Sequence, residues 1–149
     1  MSTAALAVAL VANGILAGLF FAFACAVVPG FRRVDDRTFV LAFRAINRAI
    51  LNGWFLLVFF AAPVSAVAAA VLGGWSWELI AAAALAVLTF PVTVAANVPR
   101  NNALDAADAT TAAGMRAERE RFEGPWARWN LVRTVAAVGA LVALAVAGG

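Results

Sequence analysis

The sequence predicts an all-α integral membrane protein: a four-transmembrane-helix bundle with an amphipathic cytoplasmic helix between spans 1 and 2. All of residues 1–149 read as a single membrane domain. Three observations lead there. Hydrophobic residues make up 65% of the chain and charged residues 13%, whereas a soluble domain is roughly 45–50% apolar and about 25% charged. A soluble core of this length leaves a large share of its residues facing solvent and cannot cover so much apolar surface. The second observation is four runs without a charged side chain: Met1–Phe31, Ala49–Trp77, Leu79–Pro99 and Thr134–Gly149. A bilayer core of about 30 Å takes ~20 apolar residues as helix, and backbone groups in hydrocarbon must be paired within their own segment. The third is that the arginines lie between these runs, where loops would be.

Taken in order, the spans fall at about residues 4–28, 50–72, 79–98 and 127–147. Ala24-Cys25-Ala26 looks like a small-residue cleavage site. However, no Lys or Arg precedes the first run, which is far longer than the ~7–15 residues of a signal-peptide core. It reads as a retained span, with Cys25 as a small packing residue. Pro29-Gly30 ends this helix, and Asp35 and Asp36 stand where a new one would be capped. Phe39, Phe43, Ile46 and Ile50 then fall on one stripe, with Arg37, Arg44 and Arg48 on the opposite face. That pattern predicts a helix lying on the membrane surface and running into span two.

The turn Gly73-Gly74-Trp75-Ser76-Trp77-Glu78 carries no arginine, whereas the connections on either side carry five each. Positive loops stay in the cytoplasm, so both termini are expected outside a multi-pass protein of the cell inner membrane. Trp75 and Trp77 suit the outer interface, Trp126 and Trp129 the inner one. Asp105–Glu123 mixes charge signs and reads as a solvated, partly helical surface loop.

Composition removes several chemistries. The chain has no His, Tyr or Lys, and Cys25 is its only cysteine. An internal disulfide, a CxxC redox pair, a Cys/His zinc site and histidine-bound haem, copper or iron are all excluded. No metal site is expected. Spans one to three hold no Asp, Glu or Lys at membrane depth, which excludes a proton-coupled exporter of the kind that needs an embedded carboxylate. The net charge of +3 comes entirely from arginines interspersed with acids, so it fixes orientation and implies no nucleic-acid partner.

Polar side chains in lipid are expensive unless partnered, which makes them informative. Here they are Asn13, Asn52, Ser65, Thr89, Thr93 and Asn97. Span three ends Thr93-Val94-Ala95-Ala96-Asn97-Val98-Pro99-Arg100-Asn101. Pro99 lacks an N–H and biases Val98 away from helical geometry, so the helix is expected to break there. Asn97 and Asn101 would then cap the freed carbonyls or face a ligand. Span four opens Trp126-Ala127-Arg128-Trp129-Asn130-Leu131-Val132-Arg133, and its polar residues recur every three or four positions on one face. Arg133 lies about two turns, ~10 Å, inside Trp126. A guanidinium at that depth faces the bundle interior or a wet cavity, unless it snorkels to the headgroups. The expectation is a pocket at the inner ends of spans three and four. Arg133, Asn97 and Asn101 are its reactive groups, and Trp126, Trp129, Asn130, Thr93 and Asn13 bind the substrate. Such a pocket suits a flat, polarisable, partly anionic molecule.

The order Asn97-Val-Pro99-x-Asn101, a polar loop, then Trp126-x-x-Trp129-Asn130-x-x-Arg133 resembles the anthrone oxygenase family of small four-helix membrane proteins. Upstream, Asn13, Gly14, Gly18, Pro29 and the Phe43-x-x-x-Asn47 stretch are similar as well. The resemblance implies oxidation of anthrones to anthraquinones by molecular oxygen, with no flavin, haem or metal cofactor. The partners would be the bilayer and a small lipophilic aromatic molecule. An anthrone enolate reacts with oxygen itself, so the protein need only favour the enolate and exclude water. Loop carboxylates such as Glu120 or Glu123, or water, are then the bases at hand. The alternative is a non-catalytic membrane protein, either a carrier of small hydrophobic ligands or an assembly subunit. Gly14 and Gly18 form a GxxxG and Ala81–Ala84 is a small-residue run, which would allow a homo-oligomer or close internal packing.

Overall fold

A computed structural model describes residues 2–107 and 110–149. Its elements are helices α1 (Thr3–Phe31), α2 (Asp36–Ile50), α3 (Gly53–Leu72), α4 (Trp77–Ala106) and α5 (Ala112–Gly148). Four of them, all but α2, are long and apolar enough to cross a membrane. The chain is therefore a multi-pass membrane protein.

Two of the four spans differ from the sequence expectation in the same way. Pro29 and Pro99 do not end their helices. Each follows a five-residue π turn, Phe23–Val27 in α1 and Thr93–Asn97 in α4. There Val28 N–H reaches back to Phe23 O, and Val98 N–H to Thr93 O. A proline ring crowds the carbonyl four residues earlier. One extra residue in the turn moves that carbonyl aside and lets the helix continue. The third span thus runs to Ala106 instead of breaking at Pro99.

The fourth helix begins at Ala112 rather than near residue 127. Most of the segment expected to be a surface loop is its first turns, with residues 108–109 of that segment outside the described part. Met115 and Phe122 are buried there, and Thr111 caps the start by accepting from Gly114 N–H at 3.1 Å. Asp35 caps α2 in the same manner, accepting from Thr38 N–H at 2.8 Å. This bond keeps the Asp35 carboxyl below its ordinary pKa.

Helix α2 is amphipathic as expected, but its apolar face meets protein instead of lipid. Phe39, Val40 and Phe43 pack on Leu104, Met115, Phe122 and Trp126. Phe43 sits 4.6 Å from Phe122 and 4.8 Å from Trp126, edge on to both. The long N-terminal extension of α5 supplies the surface that a bilayer was expected to supply. Helix α2 does not run into α3. The chain turns at Leu51 (φ −77°, ψ 54°), and Asn52 N–H bonds to Ile50 O. Asn52, expected among the polar groups of the bundle, is an exposed N-cap whose Oδ1 accepts from Phe55 N–H.

Three arginines fasten this end. Arg119 donates to Phe31 O, Val34 O, Asp36 Oδ1 and Glu123 Oε2, all between 2.8 and 3.1 Å. Arg44 reaches the carbonyls of Leu104 and Ala107, and Arg48 pairs with Asp105. Cations at the C-terminal end of α4 satisfy carbonyls that the helix leaves open.

Within the bundle the contact seams are built from alanine. Ala9, Ala69, Ala70, Ala82 and Ala83 pack at one level, Ala66, Ala86 and Ala140 at another. Small side chains let helices approach closely where lipid offers no competing hydrophobic drive. Gly14 and Gly18 contribute little to this. A Cβ on Gly14 would meet only Leu141 at an ordinary 3.8 Å, and one on Gly18 would meet nothing within 4 Å. Cys25 is exposed rather than packed. The α3–α4 turn does need its glycines. Gly74 has φ 75°, and a Cβ on Gly73 would sit 2.2 Å from Leu79 Cδ1.

Trp54 and Trp129 are exposed at the arginine-rich end, Trp75 and Trp77 at the other. Helix α3 rises ~27 Å between Trp54 and Leu72, close to the ~30 Å of a bilayer core.

Candidate functional site

Trp126, Asn130 and Arg133 lie on one face of α5, within about 60° of one another at 3.6 residues per turn. All three are buried, and Arg133 is only 6% exposed although it sits in an apolar span. Its guanidinium does not reach for headgroups. One terminal N–H donates to Asn130 Oδ1 at 2.9 Å, and the other nitrogen lies 3.4 Å from Thr93 Oγ1. The Thr93 hydroxyl is free to accept because it spends its own proton on Thr89 O. Two rings flank the cation, Phe20 with its centroid 4.4 Å from Cζ and Trp126 at 5.5 Å. Such contacts contribute about 0.5–2 kcal/mol each, more when dry. Among the described residues no carboxylate pairs with it.

The supporting amides come from α4 and α5 and tie three helices together. Asn130 Nδ2 donates to Phe20 O at 3.1 Å, joining α5 to α1. Trp126 Nε1 donates to Asn101 Oδ1 at 2.7 Å, joining α5 to α4. Asn97, at the end of the π turn, donates to Trp126 O at 3.4 Å. The π turns shape this region directly. Phe23 opens one and borders the cavity, and Thr93 opens the other and contacts Arg133.

A cavity of about 70 Å³ lies against these groups. Its wall comprises Phe20 and Phe23 of α1, Asn47 and Ile50 of α2, and Phe55 of α3. Thr93 and Asn101 of α4 and Trp126, Asn130 and Arg133 of α5 complete its polar side. The position is broader than expected: every span and α2 contribute, not only spans three and four. Three buried polar atoms of the described residues have no protein partner, namely Asn47 Nδ2, Asn97 Oδ1 and Arg133 Nε. Two of those residues, Asn47 and Arg133, border the cavity. Native interiors rarely leave such atoms unpaired, and each one invites a ligand or water.

Five of the eight expected site residues therefore meet at one cavity: Arg133, Asn101, Trp126, Asn130 and Thr93. Three do not border it. Asn97 is buried but backs onto Trp126 O. Trp129 lies about 60° round the helix from Trp126 and lines an outer groove with Arg100 and Arg128. Asn13 lies two turns along α1 from Phe20, ~10 Å, where its amide donates to Ala9 O and Ala62 O. Asn13 thus bridges α1 and α3, and Trp129 is 39% exposed.

The loop acids are also elsewhere. Glu123 is held by Arg119 and Arg32, and Glu120 is an exposed partner of Arg116. Neither borders the cavity. Asn47 is the residue that sequence reading passed over as a site. Its signal was a lone amide one turn beyond Phe43 on an otherwise apolar stripe. Among the described residues no group of three Cys, Asp or Glu side chains is placed to hold a metal ion.

A family model described as anthrone oxygenase matches residues 39–143. That range spans α3, α4 and most of α2 and α5, and so includes every polar residue of the cavity wall. No curated protein and no solved structure matches the chain.

Proposed function

The chain belongs to the anthrone oxygenase family, and on that premise we propose that it oxidises a lipophilic anthrone-type ketone with molecular oxygen, without a bound cofactor. The observation that supports this reading is Arg133, a buried guanidinium set between an indole and two amide-bearing helices, with one N–H unpaired beside a cavity.

The chemistry needs little from the protein. The CH2 between the two aryl rings loses a proton to give an enolate, whose oxygen carries the negative charge. Molecular oxygen adds to the same carbon, and loss of water from the hydroperoxide leaves a second ketone. One anthrone and one O2 become one anthraquinone and one water, so atoms and electrons balance. Arg133 would pair with the enolate oxygen and lower the substrate's own pKa, because an opposite charge favours the ionised form. Water would take the proton, since the cavity wall holds no carboxylate. Trp126 would stack on the rings, Asn101 would position that indole, and Asn97 would support it from behind.

A cavity of about 70 Å³ is smaller than the roughly 300–1,000 Å³ of pockets that hold drug-sized ligands. A three-ring substrate therefore requires the wall to open. The joint between α2 and α3 is the part suited to it, because Leu51 borders the cavity and is also exposed. In the cell both termini would face outward and the arginine-rich end the cytoplasm. The same lack of a carboxylate favours a second reading, a carrier that binds the aromatic without converting it.

Aerobic incubation of the purified protein with anthrone, against spontaneous autoxidation, separates the two. Quinone formation with equimolar oxygen uptake supports the oxygenase, and saturable binding without turnover supports the carrier. Turnover unchanged in both Arg133→Ala and Asn97→Ala would show the proposed site to be wrong.

A further inference from the structure

Arg133 Nε and Asn47 Nδ2 are N–H donors on different helices, both buried, both without a protein partner, and both on residues bordering one cavity. Nothing acidic answers them among the described residues. A permanently charged guanidinium in an apolar span is costly unless something neutralises it. Two flanking rings and a pair of neutral oxygens soften that cost but supply no net charge.

We propose that the cavity is a binding site for a small, weakly hydrated monovalent anion, of the size of chloride or bromide, held between Arg133 Nε and Asn47 Nδ2. The volume, about 70 Å³, suits an ion of that size with a water or two. Two donors and one positive charge match a single acceptor atom of charge −1. A phosphate, with more charge and four oxygens, would be left with unpaired acceptors. The remaining wall is mostly apolar, with Phe20, Phe23, Ile50 and Phe55, and its polar members Thr93, Asn130 and Trp126 already donate within the protein. It offers little to replace a tight hydration shell, so bromide is held more tightly than chloride, and fluoride is disfavoured. The site stands on the two unpaired donors and does not require the oxygenase reading. If that reading also holds, the anion occupies the place of the enolate oxygen and competes with substrate.

The test uses the full chain in detergent, with sodium gluconate exchanged for sodium bromide or chloride at constant ionic strength. Line broadening in the chloride NMR signal and the thermal midpoint are followed. Expected are saturable broadening, reversed by bromide, and a midpoint that rises with bromide, less with chloride, and not with fluoride. Asn47→Leu should weaken apparent affinity about tenfold, the order of one lost hydrogen bond to a charge. Arg133→Met should abolish it. Should Arg133→Met not fold, Asn47→Leu and the wild-type halide order decide the matter. Absence of saturable broadening in the wild type, or equal broadening in Asn47→Leu, overturns the proposal. Anion binding without anthrone turnover would leave the site standing and remove the oxygenase. Turnover insensitive to bromide, with no chloride broadening, would do the reverse.

Discussion

The indole N–H of Trp126 and the side-chain oxygen of Asn101 meet at 2.7 Å, linking the fourth span to the third at the edge of the cavity. The same ring stacks on Phe122, meets Phe43 edge on, and lies 5.5 Å from the Arg133 guanidinium carbon. One side chain thereby couples the aromatic cap made by α2 to the buried cation. Trp129, three residues further on, shares none of these contacts and lies on the outer groove.

Trp126→Phe should therefore cost both stability and function, and Trp129→Phe neither. Phenylalanine retains the ring packing but leaves the Asn101 oxygen without its donor, a loss of about 1–2 kcal/mol. Thermal unfolding in detergent and the initial rate of quinone formation read the two effects. A Trp129→Phe rate as low as that of Trp126→Phe would return Trp129 to the site.

Pro99→Ala tests the π turn. Without the proline ring the carbonyl of Ala95 is no longer crowded, and α4 can recover regular α geometry. Losing the extra residue turns everything beyond it by about 100°, which takes Asn101 away from Trp126. Removing an interior proline offsets the lost Trp126–Asn101 bond, so thermal stability is expected to change by no more than about 1–2 kcal/mol, while anthrone turnover falls about tenfold or more, as for a displaced positioning group. Unchanged turnover would mean that packing against α5 keeps the bulge in place unaided.

Much of this architecture was legible from composition, and the parts that were not have physical reasons. Charge-free runs and arginine placement located the spans, because lipid tolerates few alternatives. Depth alone gave Arg133 as inward-facing, helical spacing gave Trp126 and Asn130, and Thr93 and Asn101 came from polarity inside span three and from the break expected at Pro99. Pro99 misled because proline rules are local, whereas the helix here is held on both sides by neighbours and widens instead of ending. The first turns of α5 were hidden by charge. Met115, Phe122 and Trp126 do form a stripe with offsets of seven and four, yet they stand among Arg116, Glu118, Arg119, Glu120 and Arg121. Asn47 was missed for a different reason: its importance depends on the bundle closing over it, which no local pattern reports.

Arg119→Lys should loosen the α1–α2 connection. The guanidinium serves Phe31 O, Val34 O, Asp36 and Glu123 at once, and a lysine ammonium cannot match that planar fork. Because the group is partly shielded from water, a loss of about 1–2 kcal/mol is expected. Faster proteolysis at Arg32 or Arg33 under native conditions is the measurement. No change in cleavage would show the clamp to be redundant with the Asp35 cap.

Asn13→Leu separates a structural amide from a substrate contact. In the structure Asn13 spends both protons, one on Ala9 O at 2.9 Å within its own helix and one on Ala62 O at 3.0 Å across to α3. Leucine fills a similar volume and removes the cross-link. Interhelical hydrogen bonds in membranes average about 0.6 kcal/mol and reach about 1.7 kcal/mol, since the separated helices also find partners. A stability loss within that range is expected, with anthrone turnover within about twofold of wild type once folded protein is matched. The cavity lies ~10 Å away along α1. Should turnover instead collapse while the unfolding midpoint stays put, Asn13 would be reaching the substrate. The cavity would then have to extend toward the middle of the bundle when it opens.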